Sequence, residues 1–182
     1  MSFAPNTSAA RHLFLAMICL LLCVTTASAQ EWKSIKPEGM GLSIEMPGDP
    51  QPNTQVLDLP TGKIEIVIYV LETPRGSYYV NSMTIPENAP AGTNEERLKK
   101  ARNGAIRHSG GKLVKESNIM LDGNSGIQLL IEGPMKDFAH SRVFLVGNRI
   151  VQAVAVTDSK DASPDVKRFL DSLKLTTKKT KP

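Results

Sequence analysis

Asp122-Gly123-Asn124-Ser125-Gly126 is the stretch of this 182-residue chain whose residue types come nearest to metal chemistry. Oxygen-bearing side chains at alternating positions are how a calcium loop surrounds a hard cation, but such a loop also needs Gly at its sixth position and Glu at its twelfth. Ile127 and Gly133 stand there instead, and the same five residues between two β-forming runs fit a hairpin turn. Acid–base chemistry would fall to His108 and His140. Neither has a companion at ligand spacing, so each reads as structural, His108 at a helix end and His140 ahead of a strand pair. Nucleophilic chemistry would fall to Ser77, Ser82 or Ser141, yet no Gly-x-Ser-x-Gly elbow occurs. Arg97, Lys99, Lys100, Arg102 and Arg107 are basic enough to bind an anion, and serve equally as a solvated helix face. No catalytic residue, cofactor site or metal site is assigned.

The elements that would position these residues are clearer than any chemistry. Ser141 to Thr157 holds two apolar β-forming runs around Gly147-Asn148, which predicts a hairpin with a two-residue turn. In that register Phe144 faces Val151, Leu145 faces Ile150 and Val146 faces Arg149. Side-chain alternation then places Phe144, Val146, Val151, Ala153 and Ala155 on one face, and Val143, Leu145, Ile150, Val154 and Val156 on the other. Both faces are apolar, so the hairpin belongs in the middle of a sheet covered on both sides.

Earlier in the chain, Gly41 to Met46 alternates like a half-buried strand and stops at Pro47-Gly48-Asp49-Pro50. Thr54–Leu59 and Lys63–Glu72 flank Pro60-Thr61-Gly62 as a second hairpin, and Ser77–Ile85 reads as a strand whose two rows both mix apolar and polar residues. Thr93-x-x-Glu96 has the form of a capping box and opens a helix to His108, closed by Ser109-Gly110-Gly111, with a narrow stripe of Leu98, Ala101, Ala105 and Ile106. Lys112–Leu121 and Ser125–Glu132 flank Asp122-Gly123-Asn124 as a third hairpin. Ser163-Pro164 then starts an amphipathic helix with Val166, Phe169, Leu170 and Leu173 on one side.

The first 29 residues read as a secretory signal peptide. Arg11 and His12 precede an apolar run from Leu13 to Val24, and Ala27-Ser28-Ala29 supplies the small residues of a cleavage site between Ala29 and Gln30. Twelve apolar residues span about 18 Å as a helix, against the ~30 Å of a bilayer core. A lipid anchor on Cys19 or Cys23 would want a small residue before the Cys, where Ile18 and Leu22 stand. Removal of the leader takes both cysteines, leaving residues 30–182 without a disulfide or thiolate site. Arg11 is the leader's sole charged residue, so the net charge falls from +4 to +3. Lys174, Lys178, Lys179 and Lys181 crowd into the last nine residues, leaving a body near −1. A near-neutral body with a basic fringe gives no nucleic-acid footprint. Thr176 to Pro182 has no apolar side chain, which predicts a disordered tail whose Lys178, Lys179 and Lys181 make at most a weak contact with an anionic surface.

Trp32 followed by Pro37-Glu38-Gly39-Met40-Gly41-Leu42-Ser43-Ile44-Glu45-Met46-Pro47-Gly48-Asp49-Pro50 resembles the opening of many exported bacterial proteins of PsbP-like fold. Arg168-Phe169-Leu170-Asp171-Ser172-Leu173-Lys174-Leu175 resembles the close of that group, and Gly126–Glu132 ahead of the central hairpin fits its order of elements. The resemblance implies an α+β fold: an α/β/α sandwich around a mostly antiparallel sheet, filling residues 30–175. It also implies action by partner binding, as in the extrinsic subunit of the oxygen-evolving complex, a Ran-binding nuclear transport factor and bacterial adaptors or chaperones. These share no transferable active site, so no functional residue is carried over. The expectation is an exported, periplasmic or extracellular, non-catalytic binding or adaptor module of undetermined partner. The alternative is an envelope hydrolase whose site is assembled from distant strands.

Overall fold

Apolar residues on both sides of the Gly147-Asn148 turn demand a strand pair with two covered faces. The computed structural model describes residues 31–59, 62–86 and 91–176 and places that pair at the middle of its main sheet. The expected leader with its Ala29–Gln30 cleavage site, and the lysines of the tail, lie outside the described residues. Strands β1 (Lys33–Ile35), β2 (Leu42–Met46), β3 (Gln51–Leu59), β4 (Gly62–Thr73) and β5 (Gly76–Thr84) come first. Helix α1 (Asn94–Ser109) precedes β6 (Lys112–Leu121), β7 (Asn124–Glu132), β8 (Phe138–Val146) and β9 (Arg149–Thr157), and α2 (Pro164–Asp171) precedes β10 (Lys174–Leu175). Seven strands pair antiparallel in the order β3-β4-β5-β9-β8-β7-β6. A separate three-stranded sheet has the order β1-β2-β10. The class is α+β with mostly antiparallel strands.

The central hairpin has the register that its sequence predicts: Phe144 opposite Val151, Leu145 opposite Ile150 and Val146 opposite Arg149. Its two faces feed two separate cores. Phe144, Val146, Val151, Ala153 and Ala155 pack with Val166, Phe169 and Leu170 of α2 and with Leu42, Ile44 and Met46 of β2. Val143, Leu145 and Ile150 pack with Leu98, Ala101, Ala105 and Ile106 of α1. Small residues on the stripe of α1 let its backbone approach the sheet, while α2 inserts a full ring. Phe169 is completely buried, and its ring meets Tyr78 of β5 edge-on at 5.2 Å between centroids and 76° between planes.

Both helix starts use the expected caps. Thr93 Oγ1 accepts from the Glu96 amide at 3.2 Å, and the Glu96 carboxylate accepts from the Thr93 amide at 2.8 Å, closing the capping box. Ser163 Oγ accepts from the Val166 amide at 3.2 Å, ahead of Pro164 in the first turn. Gly110 closes α1 at φ +62°, a left-handed conformation that costs Gly little.

Several boundaries differ from the sequence reading. Leu173 is not on the last helix, which ends at Asp171: the Ser172 hydroxyl donates to the Phe169 carbonyl at 2.8 Å and accepts from the Glu45 amide at 2.9 Å. The chain then turns into β10, so Leu173 reaches the core from beyond the helix. Strand β3 starts three residues before Thr54 and contains Pro52, which an edge strand tolerates. The third hairpin turns on Asp122-Gly123 alone, with Leu121 paired to Asn124 and positive φ at both turn residues.

Arg142, on the α2 side of β8, fastens that helix. Its guanidinium donates to the Leu170 carbonyl at 2.8 Å, answering a carbonyl left open at the helix end, and to the Asp171 carboxylate at 2.5 Å. Arg168 lies 4.5 Å from the centroid of the Trp32 ring and pairs with Glu45 at 2.8 Å, joining the start of the described chain to α2 and β2.

Candidate functional site

The residues with chemical potential are dispersed. His140 is buried on the α2 side of β8, its Nε2 3.0 Å from the Ser159 carbonyl. Ser141, the next residue, projects to the opposite side, where the Gln152 amide reaches its hydroxyl at 3.4 Å. His108 is exposed in the last turn of α1, which packs on that opposite side. The sheet therefore stands between the two histidines. Ser77 and Ser82 lie on opposite faces of β5, opposite Val156 and Val151 of β9. The Asp122 carboxylate accepts from the Leu175 amide at 3.0 Å, so it secures β10 to the third hairpin. Among the described residues no three His, Cys, Asp or Glu side chains gather as a metal site. Of the basic residues on α1, Arg102 is paired with Glu116 at 3.0 Å, and Lys99, Lys100 and Arg107 are exposed.

What the fold does assemble is a surface. Helix α1 rests on β7 and β8, and its core draws in Ile150 of β9 and Ile85, just past the end of β5. On the same side of the sheet, the register extends rows of side chains past the helix. One row runs Gln51–Val70–Tyr79–Val154–Ser141, and the next runs Asn53–Ile68–Asn81–Gln152–Val143. Val70, Tyr79, Ile68, Asn81 and Gln152 are half-buried, and none of them belongs to either core. This half-face combines aliphatic and aromatic area with amide groups that can fix orientation, the composition of a binding surface. Its trace in the sequence was the mixed rows of Ser77–Ile85, which alternation alone assigns to no core.

Burial pushes the Tyr79 phenol up to about 12. The folded protein holds that proton where an unfolded chain, ionising near 10, gives it up. The stabilising contribution of the neutral ring is complete below pH 10 and lost as pH rises from 10 to about 12. Tyr79→Phe is expected to flatten the alkaline fall in stability. Urea unfolding at pH 9 and pH 11 checks this; an equal fall in both proteins would rule out Tyr79 as its source.

No protein-family model matches the chain, and no curated protein matches it in sequence. Solved structures do match. A cyanobacterial PsbP from Synechocystis superposes with a TM-score of 0.54 at 11% identity, covering 82% of this chain and 95% of that one. A Pseudomonas aeruginosa protein of unknown function gives a TM-score of 0.39 at 16% identity, covering 63% of this chain and 85% of that one. The likeness to PsbP supports a PsbP-like fold, the fold that the two ends of the sequence resemble. No helix of the described residues is long and apolar enough to cross a membrane.

Proposed function

We propose, with the PsbP-like fold as the premise, that this protein is an exported, non-catalytic binding or adaptor module of the cell envelope. In this reading residues 1–29 are a signal peptide cut between Ala29 and Gln30, and residues 30–175 form an α/β/α sandwich. Its α1 layer stops short and leaves a binding face. The observation that carries the proposal is the half-buried pair Val70 and Tyr79, flanked by Ile68, Asn81 and Gln152 and outside both cores. A partner segment laid there would bury aliphatic area and exchange hydrogen bonds with the two amides. The tail lysines Lys178, Lys179 and Lys181 would add a salt-sensitive attraction to an anionic surface, about 1 kcal/mol per Lys near a charged membrane. The dispersal of His108, His140 and Ser141 gives the hydrolase alternative no support.

One capture experiment tests both contacts. The tagged protein is expressed in its own organism and cross-linked in the cell, beside Asn81→Arg and a chain ending at Leu175. Asn81→Arg buries an unpaired charge in any complex formed on this face and is expected to lose its protein partner at least tenfold. The shortened chain is expected to keep that partner and to lose salt-sensitive co-sedimentation with anionic vesicles. Equal capture by Asn81→Arg and the unmodified protein would remove the half-face as the site. Equal vesicle binding by the shortened chain would remove the tail.

A further inference from the structure

The two edges of the main sheet are not alike. Strand β3 carries Pro52, which withdraws a backbone donor from that edge. Strand β6 has no proline over ten residues, and every residue from Lys112 to Asn118 is exposed. Leu113, Val114 and Met120 are exposed along it, Met120 at 72%. A long edge with free backbone groups and apolar side chains is a template for another strand.

We propose that this other strand is β6 of a second copy of the same chain, paired antiparallel about Ser117. A two-fold axis perpendicular to the sheet sets residue i opposite residue j with i + j constant. Alternation requires the two to project on the same face, so the axis must pass midway between the two copies of one residue. Through Lys115 or Glu116 it would stack like charges on the axis. Through Ser117 it sets Ser117 against itself, Glu116 against Asn118 of the second copy, and Lys115 against Ile119, with no like-charge pair. Glu116 is already paired with Arg102 of its own chain at 3.0 Å, so an uncharged neighbour across the axis suits it. The irregularity between Leu113 and Lys115 bends the start of the strand and confines regular pairing to the stretch after it. The product is one continuous antiparallel sheet across two copies. The half-face proposed for the other partner lies toward the opposite edge, so the two readings stand or fall separately.

Sedimentation of the purified protein tests the proposal between about 1 μM and about 1 mM, where a small interface changes state. The average mass is expected to double across that range. Ser117→Lys and Ser117→Asp place like charges on the axis, and each is expected to remain monomeric with an unchanged circular dichroism spectrum. An equimolar mixture of the two is expected to regain the dimer, because the axis then joins opposite charges. An unmodified protein that stays monomeric throughout overturns the proposal, as does dimerisation of the single variants at the unmodified level. A mixture that stays monomeric overturns the Ser117 register.

Discussion

Replacing Phe169 by Ala is expected to cost about 3 to 5 kcal/mol of folding stability, the range for deleting a fully buried aromatic ring. The ring has no solvent exposure and stands where three parts of the fold meet. Its own helix supplies Val166 and Leu170, β2 supplies Leu42, Ile44 and Met46, and the main sheet supplies Tyr78, Phe144 and Val151. Removing it forfeits the transfer energy of the ring, the edge-on contact with Tyr78 at 5.2 Å, and contacts that rigid neighbours cannot close up to restore. The Ser163 cap and the Arg142 bonds at the end of α2 do not depend on the ring, so the helix stays docked over a cavity. Urea unfolding followed by circular dichroism should show a lower midpoint with an unchanged slope. Lys167→Ala, on the exposed side of the same helix, should shift stability by less than about 0.5 kcal/mol. A loss below about 1 kcal/mol for Phe169→Ala would mean that α2 is not part of the cooperative core.

The centre of the fold was legible because its signals are local. A Gly-Asn turn between apolar runs fixes a register, and one register fixes which residues share a face. Phe144 with Val151 followed from counting outward from Gly147-Asn148. The capping box at Thr93 and the Ser163-Pro164 start followed from side chains that satisfy open amides within a single turn. The three-stranded sheet was not legible. Strand β10 is two residues long, and its partner β2 lies about 130 positions earlier, so no periodicity announces the pair. What holds the chain there is non-local: Asp122 accepting from the Leu175 amide, and the Thr176 amide donating to the Gly41 carbonyl at 2.8 Å.

The candidate surface was half legible for a related reason. Tyr79, Asn81, Met83 and Ile85 form a mixed row in the sequence, but which side of the sheet that row faces depends on the pairing of β5 with β9. Where α1 stops depends on its narrow stripe meeting β7 and β8 and little beyond. Neither fact resides in the segment itself. The reactive residues give the converse case. His140 and Ser141 are adjacent in sequence and separated by the sheet in space, because successive residues of a strand point to opposite faces.

Gly126→Ala is expected to cost about 2 to 3 kcal/mol, a large effect for one methyl group, through overpacking. Gly126 sits in β7 between Ile119 of β6 and Phe144 of β8. The Phe144 ring occupies the space where a side chain at 126 would project. A Cβ there would press on the ring edge and would lie 2.5 Å from the Val143 carbonyl oxygen, well inside normal contact. These two obstacles differ in kind. The ring can turn at some cost to its neighbours Val151 and Val146, while the carbonyl is backbone of β8, the strand paired with β7, and moves only if the two strands separate. A double-mutant cycle divides them. In a Phe144→Leu background the ring obstacle is gone and the carbonyl remains, so Gly126→Ala should cost about 1 kcal/mol less there than in the unmodified protein. Urea midpoints of the four proteins give the coupling directly. A neutral Gly126→Ala, or a cost unchanged by Phe144→Leu, would mean that the ring does not fill the place of the missing side chain, and the tight fit of β7 against β8 would need another cause.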